Sequence, residues 1–265
     1  MPAGFADFIG LLALATISIT SFRYRATDEK GTLAAFLMGA IVGLTAGWLW
    51  VIYMILFFTV ASLATKFRYN YKSTLHAAEE KGGARGAKNV LANGGLATLF
   101  AFLYWLLKEP AIAVLFVASI TSSLSDTLAT EIGLLSKRRP HAILNPSQEV
   151  EPGRSGGITG LGLAAEAISS TLFSLLAFAI GIIESKYILA IAVAGVLGAN
   201  VDSLLGATLQ GYYVCEVCGQ NTERSIHCSE RAKKVKGIAW LGNNAVNLLS
   251  GFSAVIAALA IQFAL

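Results

Sequence analysis

The stretch LAAFLMGAIVGLTAGWLWVIYMILFFTVASLAT, residues 33–65, decides the fold because it contains no charged residue. A helix needs about 20 apolar residues to cross the hydrocarbon core of a membrane. The stretch is therefore too long for one ordinary span, and it predicts two helices, 31–47 and 48–65. Gly47 and Trp48 mark the predicted cut, which requires a tight hairpin between the two helices.

The rest of the chain has the same apolar character. Of the 265 residues, 55% are hydrophobic and 14% are charged, whereas soluble domains average about 45–50% and about 25%. The first apolar segment lacks the basic n-region and the cleavage site of a signal peptide, so it is expected to remain as a helix. We therefore predict an all-α, polytopic transmembrane helical bundle of about eight spans, with residues 1–265 as a single integral membrane domain. Besides 31–47 and 48–65, the predicted spans are 3–22, 91–107, 111–135, 156–183, 187–210 and 238–265.

The basic residues are distributed unevenly along the chain, and this orients the predicted bundle. Eighteen of the 20 Lys and Arg residues lie in the four connections that eight spans place on one side. Because Lys and Arg concentrate in short cytoplasmic loops, these connections are predicted to be cytosolic, with both termini outside. Fusing the second and third spans would move the first basic loop to the other side, so eight spans fit better than seven. Membrane orientation thus explains the net charge of +4, and nucleic acid is not an expected partner.

Two acidic residues are predicted to lie at one depth, near the cytosolic ends of parallel helices. Asp126 follows Pro110 by 16 residues, and Asp202 follows Lys186 by 16, so each lies about 24 Å from the outer boundary. Ionisable groups inside membrane helices are costly and mark functional sites by default. For any single Asn or Ser at this depth, helix packing is the alternative interpretation. The polar residues expected there are Asn93, Ser155, Thr159, Asn243, Asn244 and Asn247.

Carboxylates that face each other across a helix interface repel unless a cation lies between them. Asp126, Glu131 and Asp202 are the predicted catalytic carboxylates, and an all-oxygen ligand set with open positions for phosphate suits Mg²⁺. Asp126 and Glu131 are about 140° apart on an ideal helix, so a shared site requires a break in that helix. The alternative is that Glu131 forms a separate stripe with Thr127. Glu166, deeper in its helix, is interpreted as a paired core residue outside the site.

Two glycine-rich loops are predicted on the cytosolic side, EPGRSGGITGLG (151–162) and GGARGAKNVLANGG (82–95). Each leads into a membrane helix, and backbone N–H groups beside a helix N-terminus bind phosphate. Neither loop matches the P-loop or the dinucleotide fingerprint, and tight turns or packing are the alternative role for such glycines. The predicted substrate- and phosphate-binding residues are Arg85, Lys88, Asn93, Arg154, Ser155, Gly156, Gly157, Ser203, Asn243 and Asn247.

All three cysteines lie in the last predicted cytosolic loop, residues 211–237. Cys215, Cys218, His227 and Cys228 supply three thiols and one imidazole in a short hydrophilic segment. This set suits a tetrahedral structural zinc site. Unligated cytosolic thiols are the alternative, because a second CxxC pair is missing.

Five motifs, in order, resemble one known family. They are GGARGAKNVLANGG, SDTLATEIG followed by KRRP, VEPGRSGGITGLG, ANVDSLLGATLQ and WLGNNAVNLL, within residues 66–250. Together they resemble the phytyl-phosphate kinase family of polytopic membrane proteins, known from vitamin E biosynthesis. The resemblance implies transfer of a phosphoryl group from a nucleoside triphosphate, typically CTP, to an isoprenyl monophosphate, which becomes the diphosphate. The family's motif positions fall on Asn93, Asp126, Glu131, Ser155, Gly156, Asp202 and Asn247.

The resemblance also sets the expected partners. These are CTP or another nucleoside triphosphate, a phytyl, geranylgeranyl or farnesyl phosphate, and membrane lipid, while the Cys-rich loop is not common to all members. A secondary transporter or a flippase for a phosphorylated lipid would also use intramembrane carboxylates, but near the midplane of the membrane. A CDP-alcohol phosphotransferase would carry the signature D-G-x2-A-R, which this sequence lacks.

Overall fold

The computed structural model describes residues 3–262, and its long elements are all helices. Seven of these helices are long and apolar enough to cross a membrane, and an eighth, with 17 residues, is at the lower limit for a span. The predicted all-α bundle of about eight spans is confirmed, although residues 263–265 of the last predicted span lie outside the described residues. The helices are α1 (Ala3–Arg23), α2 (Glu29–Thr45), α3 (Trp48–Lys66), α4 (Tyr69–Thr74), α5 (Ala87–Leu107), α6 (Pro110–Gly133), α7 (Gly160–Ala179), α8 (Ile188–Thr208) and α9 (Asn243–Gln262).

The predicted hairpin between α2 and α3 is confirmed. Two residues connect the helices, and one of them, Gly47, has a φ of 106°, a conformation that glycine adopts without steric cost. The indole N–H of Trp48 donates to Asp7 Oδ1 over 3.1 Å, which ties the hairpin to α1. Asp7 therefore has a structural partner at the end of the bundle opposite the predicted site.

α6 is the central helix of the bundle, and α3, α5, α7, α8 and α9 pack around it. Its buried surface is rich in Ser and Thr, whose small side chains allow close approach of neighbouring membrane helices. Thr121 is one of them, and its hydroxyl lies 3.1 Å from the hydroxyl of the fully buried Tyr53 on α3. α1 is peripheral, and large apolar side chains on it, such as Phe8 and Ile19, are exposed, as on a surface that contacts lipid.

Two connections fold into small β-sheets, which the sequence did not predict. The strands are β1 (His141–Ala142), β2 (Asn145–Glu149), β3 (Gly157–Ile158), β4 (Tyr212–Val214), β5 (Asn221–Thr222), β6 (Ile226–His227), β7 (Glu230–Arg231) and β8 (Lys233–Lys236). One three-stranded sheet has the order β2-β1-β3, a second has the order β5-β4-β8, and β6 pairs with β7.

These sheets show why two predicted spans begin too early. The span predicted at 156–183 includes β3, and the span predicted at 238–265 begins five residues before α9. Ile158 pairs with His141 in the first sheet, and Ile238 forms a β-bridge with Gln210. Both isoleucines lengthen the apolar run in the sequence although their backbones form β-pairs rather than helical turns.

The four connections predicted to be cytosolic lie together at one end of the bundle, which we call the basic face. The α1–α2 connection and the α3–α5 connection meet at a β-bridge between Thr27 and Arg85. The α6–α7 and α8–α9 connections meet where Ser155 bonds to Glu223. The basic face comprises residues 24–28, 67–86, 134–159 and 209–242, whereas the connections at the opposite end, 46–47, 108–109 and 180–187, contain two basic residues, Lys108 and Lys186.

The fold predicts which connections share a side of the membrane. We expect an epitope inserted after Arg139 to be accessible from the cytosolic side, and one inserted after Lys186 from the outside, because basic loops are retained in the cytosol. Protease digestion of sealed vesicles, with lysed vesicles as the control, measures this accessibility. Digestion of both epitopes from the same side would contradict the arrangement.

Candidate functional site

Asp126 on α6 and Asp202 on α8 lie within electrostatic reach of each other, as their predicted depths require. Glycines on α8 permit this approach. A Cβ atom at Gly198 would collide with the hydroxyl of Ser122 on α6, and one at Gly195 would collide with α7. A larger side chain at either glycine would therefore push α8 away from its neighbours.

Polar side chains from α5 and α9 surround the Asp202 carboxylate. The hydroxyl of Ser250 donates to Asp202 Oδ2 over 3.0 Å. With its nitrogen toward the carboxylate, the Asn247 amide donates to the same oxygen over 3.2 Å and to the Asn243 carbonyl over 2.9 Å. The other end of that amide lies 3.3 Å from the side chain of Asn93 on α5. The structure thus joins Asn93 and Asn247 to the site, whereas the exposed Asn243 side chain contributes only through its backbone.

Glu166 on α7 belongs to this group of carboxylates, although the sequence analysis placed it outside. It is buried and lies within electrostatic reach of Asp126. Its partner is an amide rather than a cation, because Asn200 Nδ2 donates to Glu166 Oε1 over 2.7 Å. Glu166 is thus a paired core residue, as interpreted, and the structure adds that it lies near Asp126. The period of α7 alone does not show that its Glu faces α6.

Glu131 points away from Asp126, and the expected break in the helix is absent because α6 is continuous through both residues. Glu131 Oε2 instead accepts from the ammonium group of Lys72 on α4 over 2.6 Å, and both side chains are almost completely buried. Lys72 also donates to the carbonyl of Ala64 near the end of α3 over 2.7 Å. Glu131 therefore anchors α4. It lies on a different face of α6 from Asp126, which agrees with the alternative in which Glu131 belongs to a separate stripe.

Arg85 is a cation that the structure places within electrostatic reach of Asp126. Burial lowers the pKa of its guanidinium, and the charges of Glu79, Glu131 and Asp126 act in the opposite direction. Its backbone is held between the α1–α2 loop residues, where its N–H donates to the Ala26 carbonyl over 3.0 Å. Arg85 is thus presented to the site by a fixed loop. Lys88, predicted beside it, lies exposed on the first turn of α5.

The loop that contains Gly153 and Gly156 packs directly on α8. Both glycines have a positive φ, 79° and 77°. A Cβ atom at Gly156 would collide with Ala207 and would lie 3.0 Å from the Ser203 carbonyl, so only glycine fits there. Ser203 follows Asp202, and the loop therefore lies within about one turn of the acidic site.

The backbone N–H groups of this loop are less open to an anion than predicted. The N–H of Gly157 donates to the Arg154 carbonyl over 2.9 Å, and the N–H of Arg154 donates to the Glu151 carbonyl over 3.2 Å. Ser155 donates through both its N–H and its hydroxyl to the Glu223 carboxylate. The Arg154 side chain is exposed, within electrostatic reach of Tyr212. Ser155 is therefore the anion-binding member of this loop, and Glu223 is its partner.

Glu223 comes from the Cys-rich connection and was missed in the sequence. Besides Ser155, Gln210 donates to it, with Nε2 lying 2.6 Å from Glu223 Oε2. Burial raises the pKa of Glu223, and the bonds from Ser155 and Gln210 oppose that shift. Glu223 also lies within electrostatic reach of Asp202. In the sequence it is one acidic residue in a polar loop, with no pattern that marks it.

The four predicted zinc ligands come together. One ligand atom from each of Cys215, Cys218, His227 and Cys228 lies within 4.8 Å of the others. The Nδ1 atom of His227 faces the thiols, 3.5 Å from the Cys218 sulfur and 3.3 Å from the Cys228 sulfur. Cys215 is buried, whereas Cys218 and Cys228 are exposed.

A cavity of about 470 Å³ lies between α1, α2, α3 and α5, beside the acidic site. Its walls are mostly apolar and include Leu14, Met38 and Val51. Arg85 and Asn93 line it as well, so the residues that contact or face the acidic site also form part of the cavity wall. Further polar residues in its wall include Tyr24, Lys66 and Asn89.

The acidic site fits a hard divalent cation. Among the residues that the structure describes, the ion pairs do not include Asp126, Asp202 or Glu166. Arg85 is the one cation among the electrostatic neighbours described for Asp126, against two carboxylates. An excess of carboxylate over cationic side chains, with amide and hydroxyl oxygens nearby, is the donor chemistry that Mg²⁺ prefers.

Comparison with known proteins places the chain in a family. The family model described as integral membrane protein DUF92 matches residues 12–255. The chain belongs to this family. It is similar to Protein PGR of Arabidopsis thaliana, with 28% identity over 259 residues and coverage of 88% of each chain. An uncharacterized membrane protein of Methanocaldococcus jannaschii is 28% identical over 203 residues, 77% of this chain and 83% of its own.

A third relative connects this DUF92 protein to the resemblance found in its motifs. Protein VTE6, chloroplastic, of Arabidopsis thaliana is 23% identical over 244 residues, which cover 90% of this chain and 66% of that protein. The resemblance is thereby confirmed at the level of the family. No solved structure matches the chain.

The buried ion pair provides a test that is independent of catalysis. We expect Lys72→Met to destabilise the protein by about 3–5 kcal/mol, because it leaves the Glu131 carboxylate buried without a partner. The double variant Lys72→Met with Glu131→Leu should recover most of this loss, because no unpaired charge remains. Thermal unfolding in detergent measures both. Equal destabilisation of the single and double variants would show that the charge pairing is not what holds α4.

Proposed function

We propose that this DUF92 protein is a membrane kinase that transfers a phosphoryl group from a nucleoside triphosphate to an isoprenyl monophosphate. The main observation behind the proposal is that the charged acidic site and the apolar cavity share a wall. Arg85 and Asn93 face the acidic site on one side and line the apolar cavity on the other. An amphipathic substrate fits this arrangement, with its phosphate at the acidic site and its hydrocarbon tail in the cavity.

The cavity has the length of a long prenyl tail. α3 lines it from Val51 to Lys66, which lie fifteen helical steps or about 22 Å apart. Carbon–carbon bonds of about 1.5 Å at tetrahedral angles advance about 1.25 Å each, so this length holds about 16 to 18 carbons in line. A diterpenoid chain such as a phytyl or geranylgeranyl group matches that length, and a farnesyl group leaves part of it unfilled.

Magnesium is part of the proposal, with Asp126 and Asp202 as the residues that would hold it. Bound there, Mg²⁺ would neutralise nucleotide phosphate charge during transfer. Glu131 is left out, because Lys72 already neutralises it. Glu166 is near enough to Asp126 to add negative charge to the site.

The protein side chains have a positioning role in this reaction. Arg85 would bind phosphate oxygens, Asn247 and Ser250 orient Asp202, and Asn93 separates the head group from the tail cavity. The loop that contains Ser155 would form the wall of the site beside Asp202. An acceptor phosphate oxygen forms a bond to the terminal phosphorus of the nucleotide, the bond to the bridging oxygen breaks, and the nucleoside diphosphate leaves. A phosphate monoester with a second pKa near 6 is already mostly dianionic at pH 7, so none of the three His residues is needed as a base.

Two further details of the proposal have indirect support. Family membership, with VTE6 among the relatives, supports the kinase class, and the motif resemblance favours CTP as the phosphoryl donor. The excess of basic residues in the connections around the site supports its location at the cytosolic face, where nucleotides are available.

We expect Asp126→Asn and Asp202→Asn each to lower the rate of diphosphate formation at least about 100-fold, the scale seen when a preorganised charge-stabilising group is removed. The measurement is Mg²⁺-dependent conversion of geranylgeranyl or phytyl monophosphate by the purified protein, with CTP, ATP, GTP and UTP compared. Asp7→Asn is the matched control, because Asp7 lies at the opposite end of the bundle and its bond to Trp48 survives the change.

Two outcomes would overturn the proposal. Near-normal turnover by both variants would remove the carboxylates from the mechanism. A wild-type protein that moves a prenyl phosphate or an ion across liposomes, yet transfers no phosphoryl group from any nucleotide, would replace the kinase by a transporter or flippase.

The tail cavity predicts a change in chain-length preference. Ala35 on α2 lines the cavity, and Ala35→Trp fills part of it. We expect the ratio of kcat/KM for geranylgeranyl over geranyl phosphate to fall at least about 10-fold, because each methylene kept out of an apolar site loses roughly 0.8 kcal/mol. Leu37→Trp, on the exposed side of the same helix, should leave the ratio unchanged. An unchanged ratio in both variants would exclude the cavity as the tail site.

A further inference from the structure

The Cys-rich connection is rooted firmly in the membrane bundle. Its first and last strands, β4 and β8, pair with each other next to the ends of α8 and α9. The ammonium group of Lys236 donates to the Ala207 carbonyl over 3.0 Å, and the hydroxyl of Tyr213 donates to the Ala239 carbonyl over 3.1 Å. The base of the connection is thus held by ordinary hydrogen bonds, and its outer part needs another source of order.

That outer part contains two tight turns that face each other. In the first, the N–H of Gly219 donates to the Cys215 carbonyl over 2.9 Å, and Gly219 has a φ of 71°. In the second, between β6 and β7, Cys228 and Ser229 have φ values of 51° and 63°. These are the two central residues of the hairpin turn, where a positive φ at both positions is common but usually taken by Asn or Gly, so Cys and Ser there benefit from support by their surroundings.

Hydrophobic burial does not stabilise these two turns. The largest apolar side chains of the outer part, Val217 and Ile226, are each more than 60% exposed. A segment without an apolar core can be ordered by a structural metal ion, as in small zinc modules. The two turns carry the four metal-binding side chains of the connection, and their ligand atoms lie within 4.8 Å of one another.

We propose that Cys215, Cys218, His227 through Nδ1, and Cys228 bind one Zn²⁺, and that the zinc-closed loop holds Glu223 against Ser155. Thiolates at about 2.3 Å from a tetrahedral zinc lie about 3.8 Å apart, which the spacing of the four donors accommodates. Glu223 lies five residues after Cys218 and four before His227, so it is carried by the segment that the metal would close.

Glu223 links the zinc loop to the glycine-rich loop that contains Ser155. Its carboxylate accepts from the hydroxyl and N–H of Ser155 and from Gln210. Gly156, next to Ser155, is packed against α8, so fixing Ser155 also fixes the loop beside Asp202. Glu223 is thus a positioning residue, and this part of the inference rests on the proposed function of the Ser155 loop.

Elemental analysis of the full-length protein, purified without chelator, tests the metal. We expect about one zinc per chain and a loss of zinc in Cys218→Ser and in His227→Ala, whose side chains are not in the membrane bundle. The cobalt-substituted protein should show thiolate-to-cobalt absorption that Cys228→Ser reduces. Less than about 0.2 zinc per chain in wild-type protein would overturn the metal site.

The role of Glu223 is tested by hydrogen exchange, which does not depend on enzymatic activity. We expect Glu223→Ala to retain its zinc while the amides of residues 151–158 exchange about 10-fold faster, because the loop loses hydrogen bonds to a charged group. Glu230→Ala, at an exposed acidic residue of the same connection, is the control and should change neither quantity. Unchanged exchange in a zinc-bound Glu223→Ala would overturn the link.

Kinetics then separate positioning from chemistry. If the kinase activity is present, Glu223→Ala should raise the KM for a phosphate-bearing substrate about 10-fold and change kcat much less, and Glu223→Gln should recover part of the loss. A loss of kcat at unchanged KM would overturn the positioning role. If the wild type has no kinase activity, the zinc content and exchange measurements still decide the inference.

Discussion

The structure depends on keeping two carboxylates, Asp126 and Asp202, inside a membrane bundle. Charged groups there are expensive unless polar partners surround them, and each neighbouring helix provides such a partner or makes room for one. Ser250 and Asn247 on α9 bond to Asp202, while the glycines of α8 bring it toward α6. The polar residues of α9 and the small residues of α8 near Asp202 thus serve one electrostatic requirement. In the proposed kinase, a metal ion held by the two carboxylates would offset the phosphate charge.

Much of this arrangement can be predicted from the sequence, because the number of residues from the start of a membrane helix gives the depth of a side chain. The positions of Asp126 and Asp202 relative to the outer boundary place them together, and the uninterrupted apolar run before Lys66 requires the turn at Gly47. The depth of a residue does not determine which side of its helix the residue lies on. Glu131 lies at a suitable depth but on the wrong face of α6, and Glu166 faces the site from a helix whose orientation only tertiary packing determines.

The other contacts of the site could not be predicted from the sequence because their partners are distant along the chain. Lys72 and Glu131 are separated by 59 residues, and Ser155 and Glu223 by 68. The glycine-rich loop was predicted to present its backbone N–H groups, yet two of them are used in turns within the loop. The small sheets were not predicted for a similar reason, since strands of two to five residues within the connections are too short to show a clear periodicity.

The position of the cavity at the edge of the bundle has a consequence for how the reaction would be measured. α1 and α2, which form its outer wall, are peripheral, and α1 is the least buried helix among those that can span the membrane. A lipid substrate would diffuse to the cavity sideways within the bilayer, while its co-substrate arrives from water. The rate would then follow the mole fraction of the lipid in the membrane or micelle rather than its bulk concentration. Adding inert detergent would slow the reaction by surface dilution alone.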